Sequence, residues 1–279
     1  MKTKSVAALL KAARISFHSL GIETSALDAR VLLQAAAGLS HEQIIADADA
    51  VVDPRSASIF EHYVSRRMKF EPVSRILGLR EFYGREFRVT PDVLDPRADT
   101  ECVVELALEL ASDRVKFLDL GTGSGAIAIT LCAERIDWDG SASDVSETAL
   151  KVAQQNAVAN KVSDQLKFHR TSWFDGITER FDLIISNPPY IKSTAELMPD
   201  VANYDPHLAL FAGKDGLAAY REIAAGAASH LRPQGIVVVE IGAGQEDEVT
   251  EIFAGQNFKL VKAAKDIAGH IRALVFKVN

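Results

Sequence analysis

The sequence has little cysteine and no long apolar run, and these two deficits narrow the class of protein. Cys102 and Cys132 are the only cysteines among 279 residues. Both lie in apolar helical contexts, which favour free thiols in a reducing compartment over a disulfide framework. No apolar run approaches the ~20 residues of a membrane span, and the first residues show no signal-peptide cleavage pattern. We therefore predict a cytoplasmic protein that does not associate with membranes.

The sequence also lacks residues at the spacing of metal ligands, and its basic residues do not outnumber its acidic ones. The composition is otherwise ordinary for a globular protein, with 48% hydrophobic and 25% charged residues. The net charge of −7 divides unevenly, because residues 1–95 carry 13 basic and 12 acidic side chains whereas residues 96–279 carry 18 and 26. An acidic second part argues against broad affinity for nucleic acid. We expect no metal site and no direct contact with nucleic acid.

The first 72 residues have the apolar periodicity of a small helical bundle. Apolar side chains recur at helical spacing over residues 4–19, 25–37, 40–48 and 54–69, and Pro72 breaks the pattern. No catalytic constellation occurs here. We therefore predict an N-terminal domain over residues 1–72 that serves as a scaffold or docks a partner.

Residues 73–95 change character and predict a β-hairpin linker that turns near Gly84. The interval from Arg66 to Arg88 contains three acidic residues and a larger set of basic ones: Arg66, Arg67, Lys69, Arg75, Arg80, Arg85 and Arg88. This basic interval is either the solvated face of a linker or a partner-binding surface.

From residue 96 onwards, strand and helix patterns alternate. Seven segments have the pattern of strands: residues 115–120, 138–144, 166–170, 181–187, 235–241, 257–263 and 271–278. The alternation predicts an α/β domain over residues 96–279 with a doubly wound, mostly parallel, Rossmann-like sheet. The last two strands have too short a connection for a crossover helix, so they should pair antiparallel.

A glycine-rich loop, Gly121-Thr122-Gly123-Ser124-Gly125, follows the first of these strands and opens a helix. Glycines let the backbone approach a ligand closely, and the helix N-terminus offers free N–H groups and a positive dipole. The spacing is not that of the dinucleotide fingerprint, and the Lys-Ser/Thr pair of a P-loop is missing. Asp144 ends the second strand 23 residues after Gly121, where an acid accepts the hydroxyls of an adenosine ribose. Together these features predict a nucleoside cofactor site.

A second motif, Asn187-Pro188-Pro189-Tyr190, ends the fourth strand. The prolines fix φ and donate no N–H, so they hold a carboxamide and a ring rigidly at the sheet edge where open α/β folds bind ligands. The alternative is an ordinary turn. Trp173, which follows the third strand, either stacks on an adenine or belongs to the core.

These motifs, in this order, resemble those of class I S-adenosylmethionine-dependent methyltransferases that act on a planar amide or amine nitrogen. Flanking segments narrow the resemblance to the peptide chain release factor N5-glutamine methyltransferase family (HemK/PrmC). They are Pro96-Arg97-x-Asp99-Thr100-Glu101, Tyr204-x-Pro206-x-x-Ala209-Leu210, Gly213-x-Asp215-Gly216-Leu217, Glu240-Ile241-Gly242 and Lys265-Asp266-x-Ala268-Gly269. The similarity covers essentially the full length.

The resemblance implies specific roles. The loop 121–125, Asp144, Trp173 and Asn187 would hold S-adenosylmethionine, which becomes S-adenosylhomocysteine. The motif 187–190 would bind the glutamine of the Gly-Gly-Gln segment in class I release factors, with Asn187, Pro188 and Tyr190 as catalytic residues.

Three positions depart from the family pattern. Ala98 replaces a usual proline, and Ile271 stands where an aspartate is common. Ser172 stands where an acid often precedes the tryptophan, so the acidic contact to the adenine amine is in question. The other two departures should alter only local rigidity.

The residue chemistry is compatible with amide methylation. An amide nitrogen is a poor nucleophile because its lone pair is delocalised. If the Asn187 side-chain oxygen and the Pro188 carbonyl accept its two N–H bonds, the lone pair is localised and aimed, which is proximity and electrostatic catalysis rather than general base catalysis. Tyr190 would pack on the acceptor plane.

Other functions use similar motifs. A nucleic-acid adenine N6-methyltransferase presents a flipped base with a comparable NH₂ group, although no separate base-reading module is present. A ribosomal-protein glutamine is another possible acceptor, and a cofactor-binding adaptor is disfavoured because both motifs are intact. We predict a monomeric enzyme whose partners are release factors.

Overall fold

A computed structural model describes residues 4–111, 114–266 and 268–279. The chain forms two compact units: one comprises residues up to Gly78 together with Met198–Tyr204, and the other comprises Leu79–Leu197 and Asp205–Asn279. In the part of the chain that is described, no helix is both long and apolar enough to cross a membrane.

The first unit is the predicted helical bundle. Its elements are β1 Lys4–Ser5, α1 Val6–Ser19, α2 Ser25–Ala37, α3 His41–Ala46, β2 Val51–Val52, α4 Pro54–Arg67 and α5 Val73–Leu77. Ser40 and Gln43 form the capping box that opens α3, and the Asp53 carboxylate caps α4. The core includes Phe17, Leu32 and Phe60, each at most 2% exposed.

The short helix α5 corrects the sequence analysis, which placed residues 73–78 in the hairpin segment. Ile76 is buried in the helical core, and Gly78 ends α5 in a left-handed conformation. The hairpin itself is shorter, with β3 Leu79–Phe82 paired to β4 Arg85–Arg88 around the expected turn.

The second unit is built around one sheet. Within the described residues this sheet has seven strands: β5 Lys116–Leu120, β6 Asp139–Asp144, β7 Leu166–Arg170, β8 Phe181–Ser186, β9 Leu231–Glu240, β10 Phe258–Lys265 and β11 Ile271–Val278. The helices are α6 Glu101–Leu110, α7 Ala126–Glu134, α8 Glu147–Ala159, α10 Ala218–His230 and α11 Glu246–Ala254, whereas the short helix α9 Pro199–Tyr204 belongs to the first unit.

The strand order is β10-β11-β9-β8-β5-β6-β7, parallel except for β11, which is antiparallel to both β9 and β10. The predicted fold class is therefore confirmed. Alternate side chains of β8 enter different cores, since Leu183 and Ile185 pack on one face and Ile184 on the other. The order reverses between β5 and β8, so the crevice at the carboxyl ends of these strands is the expected ligand position.

Two boundaries near α10 differ from those expected. The helix begins at Ala218 rather than residue 215, because Gly213 and Gly216 have positive φ and the Asp215 carboxylate accepts the Leu217 N–H in a turn. The following strand begins at Leu231 and includes Pro233, because Leu231 pairs with Phe181 before a register shift.

Candidate active site

The glycine loop follows β5 and is shaped by left-handed backbone conformations. Gly121, Gly123 and Gly125 have φ values of 70°, 55° and 82°. A Cβ at Gly125 would lie 2.7 Å from the Ile129 side chain, whereas a Cβ at Gly121 or Gly123 would meet open space. Gly125 is thus needed for packing, and the other two glycines leave room for a ligand.

The remaining loop residues support the loop from inside. The Thr122 hydroxyl donates to Asp119 Oδ2 at 2.6 Å, and Ser124 is 3% exposed. Asp119 is itself buried at the end of β5, and burial raises the pKa of its carboxyl to about 7. Thr122, Ser124 and Gly125 therefore fix the loop shape, while Gly121 and Gly123 line the neighbouring cavity.

Asp144 ends β6 beside the loop. Its Oδ2 accepts the Gly123 N–H and its Oδ1 accepts the Ser146 N–H, each at 2.9 Å. Each carboxylate oxygen has a further lone pair available, so the carboxylate is held in place and can still accept two hydroxyls. This arrangement fits a ribose.

A cavity of about 560 Å³ lies at the carboxyl ends of β5, β6, β7 and β8. Its size is that of a small-molecule site. The predicted residues that line it are Gly121, Gly123, Asp144, Trp173, Asn187 and Pro189. Residues 91–94 after the hairpin also line it and were not selected from the sequence. A further group follows α9, and part of it carried the family resemblance without an assigned role: Pro206, Leu208, Ala209, Phe211, Ala212 and Gly213.

Trp173 occupies the third strand end in an uncommon conformation. Its φ is 47°, which is unusual for a bulky side chain. The ring is half-buried against the core that contains Tyr220 and also borders the cavity. Ser172 beside it lines the cavity, so a hydroxyl replaces the acid at that position.

Asn187 follows β8 and its carboxamide is oriented by a distant residue. Nδ2 donates to Thr100 Oγ1 at 3.0 Å. That bond uses the donor side of the amide, so Oδ1 is the atom available as an acceptor. Pro188 is buried, whereas Asn187, Pro189 and Tyr190 are half-buried.

Tyr190 and Glu240 form a buried pair behind the motif. The Tyr190 hydroxyl donates to Glu240 Oε1 at 3.5 Å. Burial raises the pKa of Tyr190 to about 12, so the phenol stays protonated. Glu240 is 1% exposed, and burial raises the pKa of its carboxyl to about 7, although the Thr100 hydroxyl, the Arg272 charge and the Tyr190 hydroxyl favour its charged form. The main chain of residues 187–190 is therefore backed by a buried carboxyl group.

Two further side chains support the site and were missed from the sequence. Gln245 accepts the Gly242 N–H at 2.9 Å and donates to the Tyr190 carbonyl at 3.2 Å, which fixes the main chain after the motif. Asn156, 1% exposed on α8, exchanges hydrogen bonds with the Arg88 main chain and donates to the Ser124 carbonyl at 2.8 Å. No local motif marks either residue, because each acts on chain far away in sequence.

Arg272 holds the segment that carries Thr100. Its guanidinium contacts Asp266 at 2.8 Å and Asp99 at 3.3 Å. Ala98 and Thr100 lie in one short 3₁₀ turn, and Ile271 opens β11 next to Arg272. Two of the departures from the family pattern thus lie in segments that support the acceptor motif.

Many cations of the basic interval are used within the chain. Ion pairs join Arg66 to Glu71, Arg67 to Asp28, Arg80 to Asp95 and Arg85 to Glu134. Within the described residues, the exposed side chains of Lys69 and Arg88 have no ion-pair partner. Within the basic interval, binding of a partner through charge would therefore depend most on these two residues.

Comparison with solved structures agrees with the fold. The catalytic domain of hMettl16, in complex with the MAT2A 3′UTR hairpin 6, has a TM-score of 0.58 at 17% identity, covering 78% of this chain and 82% of that one. The ribosomal protein L11 methylase from Lactobacillus delbrueckii subsp. bulgaricus has a TM-score of 0.51 at 19% identity, covering 72% and 88%. These likenesses show a class I methyltransferase fold.

Sequence comparison gives the family. The family model for the PrmC N-terminal domain matches residues 8–78, and that for the methyltransferase small domain matches residues 100–203. The chain is similar to release factor glutamine methyltransferases from Cereibacter sphaeroides, 43% identical over 94% of this chain and 95% of that protein, and Agrobacterium fabrum, 40% identical over 98% and 97%. It is also 36% identical, over 98% of its length, to a bifunctional methyltransferase from Rickettsia felis, of which it spans only 58%. The chain therefore belongs to the release factor glutamine methyltransferase family and is a methyltransferase.

Proposed function

We propose that this protein transfers a methyl group from S-adenosylmethionine to the side-chain amide nitrogen, N5, of the glutamine in the Gly-Gly-Gln segment of class I release factors. One observation carries the proposal most directly. The Asn187 carboxamide borders the same cavity as Asp144 and the glycine loop, and its donor side is already bonded to Thr100. The relatives named release factor glutamine methyltransferase support the choice of acceptor.

The cofactor would occupy the β5–β6 side of the cavity. Asp144 would accept the ribose hydroxyls, Gly121 and Gly123 would allow close approach, and Trp173 would contact the adenine. S-adenosylmethionine supplies a methyl group on a positively charged sulfur. Because Gly121, Asp144 and Asn187 line one cavity, the methyl donor and the acceptor amide can meet within it.

The β8 side would hold the acceptor. Asn187 Oδ1 and the Pro188 carbonyl would accept the two N–H bonds of the glutamine amide, which localises its nitrogen lone pair and fixes its direction. Tyr190, whose phenol stays protonated, would pack on the amide plane rather than accept a proton. This half of the site therefore orients a planar NH₂ group without a general base.

The partner would make a larger contact than the glutamine alone. We infer that the N-terminal domain and the hairpin segment contribute to docking of the release factor, with Lys69 and Arg88 as the available charges. The enzyme would act as a monomer, without direct contact to nucleic acid.

The proposal is tested by incubating the protein with isotopically labelled S-adenosylmethionine and an intact release factor, followed by mass spectrometry. We expect one labelled methyl group per release factor, located on the amide nitrogen of the Gly-Gly-Gln glutamine. A release factor with that glutamine replaced by asparagine should remain unlabelled, since one methylene displaces the amide by roughly an ångström. Transfer to duplex DNA or to a ribosomal protein, with none to the release factor, would refute the proposed substrate.

A further inference from the structure

Trp173 lies in a turn, residues 171–177, whose backbone is strained at the tryptophan itself. A φ of 47° is unfavourable for a bulky side chain, and such a conformation persists only where the surrounding contacts enforce it. One end of the turn is fixed by the Thr171 N–H, which donates to the Asp144 carbonyl at 3.0 Å. The contacts at the other end then decide where the indole lies.

The other end of the turn is anchored to α10 by His230. Its Nε2 donates to the Ile177 carbonyl at 3.0 Å, since a carbonyl oxygen can only accept. Its Nδ1 lies 2.8 Å from the Gly226 carbonyl oxygen, one turn earlier in the same helix. The imidazole is stacked on the Phe174 ring, with centroids 4.6 Å apart and planes inclined by 18°. One side chain of α10 thus holds both the main chain and a ring of the turn.

Gly226 makes this packing possible, because the Phe174 ring lies against the bare backbone of α10. A Cβ at Gly226 would lie 2.2 Å from Cδ2 of Phe174, closer than a side chain allows. Glycine is unfavourable inside a helix, so the close approach of the ring accounts for its presence here. The residue after Trp173 is therefore held between the helix backbone and the His230 ring.

We propose that His230 and Phe174 are positioning residues that fix the Trp173 indole against the adenine of S-adenosylmethionine. Trp173 lines the cavity, whereas the described residues that line it include neither Phe174 nor His230. Both residues would therefore act on the cofactor only through Trp173. The inference rests on the proposed function, since it requires that Trp173 contacts the adenine.

The first test is a double-mutant cycle on the affinity for S-adenosylhomocysteine, measured by calorimetry. Trp173→Ala should weaken binding by about 10- to 100-fold, the usual loss for an aromatic side chain stacked on a base. His230→Ala should weaken it by about 3- to 10-fold, because the turn loses a ring contact and a hydrogen bond. In the double variant, His230→Ala should cause no further loss beyond that of Trp173→Ala. Losses that multiply would overturn the inference.

Two further variants separate the two contacts of His230. His230→Gln keeps an N–H donor for the Ile177 carbonyl without the ring, and His230→Phe keeps a flat ring against Phe174 without the donor. Each should recover part of the affinity that His230→Ala loses, and recovery by neither would contradict the assigned contacts. At saturating S-adenosylmethionine, release-factor turnover should stay within about twofold of the wild type in all three variants. Turnover that remains low at saturation would place the effect of His230 outside the cofactor site.

Gly226→Ala tests the position of Phe174 without altering a polar side chain. The added methyl group would displace the ring, so affinity for S-adenosylhomocysteine should fall by about 3- to 10-fold although alanine favours the helix. Gly255→Ala is the matched control, since a Cβ at the end of α11 would lie 3.5 Å from its nearest neighbours, and its affinity should equal that of the wild type. Equal affinities in the two variants would contradict the role of Phe174.

Fluorine nuclear magnetic resonance provides a readout that does not require turnover. The chain has two tryptophans, so protein labelled with 5-fluorotryptophan should give two signals, and Trp173→Phe identifies that of Trp173. In His230→Ala the Trp173 signal should shift, whereas the signal of Trp138, fully buried in a different core cluster, should stay in place and show that the fold is intact. An unshifted Trp173 signal would overturn the inference.

These outcomes also separate the inference from the proposed function. If Trp173→Ala weakens binding but His230→Ala and Gly226→Ala do not, the inference is wrong and the proposed function stands. If Trp173→Ala binds as tightly as the wild type, the contact of Trp173 with the adenine is refuted, and the inference with it. If the wild type binds the cofactor but methylates no release factor, the proposed substrate fails while the affinities still decide the role of His230.

Discussion

The glycine loop after β5 and the acceptor motif after β8 follow neighbouring strands, yet the structure holds them in place by different means. The loop is fixed by residues 3 to 32 positions away, because Thr122 bonds to Asp119, the Gly123 N–H bonds to Asp144 and the Ser124 carbonyl accepts from Asn156. The acceptor motif is fixed by residues more than fifty positions away, since Asn187 depends on Thr100 and the Tyr190 carbonyl on Gln245.

Each side also has one buried acid. Like the two motifs, the acids differ in how far along the sequence their hydrogen-bond partners lie. Asp119 lies near the end of β5 and Glu240 ends β9, the two strands that flank β8, and burial raises the pKa of each carboxyl to about 7. Asp119 serves the turn that follows it directly. Glu240 accepts from the Tyr190 hydroxyl, which lies fifty positions away in the sequence. The comparison indicates that cofactor affinity and acceptor alignment should respond separately to mutation.

The largest effect is expected on the acceptor side. Asn187→Ala keeps the strand and both prolines but removes the acceptor oxygen, so methyl transfer should fall by ~10²–10³, the usual loss for one preorganised polar contact at a reacting centre. Cofactor affinity should stay within about tenfold, because Asp144 and the loop remain. Steady-state turnover and calorimetry on the same preparation measure the two quantities. Near wild-type turnover would make the carboxamide a structural residue.

On the cofactor side, Asp144→Ala removes the acceptor for the ribose and for two backbone N–H groups. Binding of S-adenosylmethionine should weaken by about 1–3 kcal/mol, the cost of leaving such groups unpaired. Calorimetry on variants shown to be folded by circular dichroism tests this. Asp144→Asn, which preserves one oxygen, should lose less, and unchanged affinity in both would remove Asp144 from the cofactor site.

The link between the hairpin and the loop should appear in stability. Asn156→Ala leaves the Arg88 main chain and the Ser124 carbonyl without their partner in a buried position, so the free energy of unfolding should fall by about 1–3 kcal/mol. Asn160→Ala is the control, because Asn160 caps the end of α8 and its side-chain bonds to the Glu86 and Asn156 carbonyls are exposed or only partly buried; it should cost less than about 1 kcal/mol. Urea denaturation compares the two, and equal losses would contradict the role of Asn156.

The difference between the two sides also explains what the sequence could predict. The strand and helix order, the loop 121–125, Asp144 and the motif 187–190 could be predicted because each is a local pattern. The supporting roles of Thr100, Gln245 and Asn156 were not predicted, although Thr100 lies in a segment that carried the family resemblance. A sequence shows which residues are present, but the contact between Thr100 and Asn187 exists only once β8 and the turn before α6 have been packed together.

Local rules also failed where tertiary pairing decided the outcome. Pro233 suggested that a strand could begin only after it, yet β9 starts at Leu231 because that residue pairs with Phe181. Residues 73–77 were assigned to a hairpin, yet they form α5 because Ile76 completes the helical core.

The smallest effect is expected at the basic interval. Lys69→Glu combined with Arg88→Glu should raise the KM for an intact release factor by up to about 30-fold, since exposed ion pairs contribute up to about 1 kcal/mol each. Turnover of a short glutamine peptide should be unchanged, because the peptide lacks the docking surface. An equal change for both substrates would place docking elsewhere.

The separation of cofactor affinity from acceptor alignment is tested most directly by single-turnover methylation of a release factor at saturating S-adenosylmethionine. With the cofactor site filled, Asp144→Ala should recover a rate within about tenfold of the wild type, whereas Asn187→Ala should remain slower by ~10²–10³. If saturation restores Asn187→Ala as well, or fails to restore Asp144→Ala, the two sides of the cavity do not have the separate roles assigned to them here.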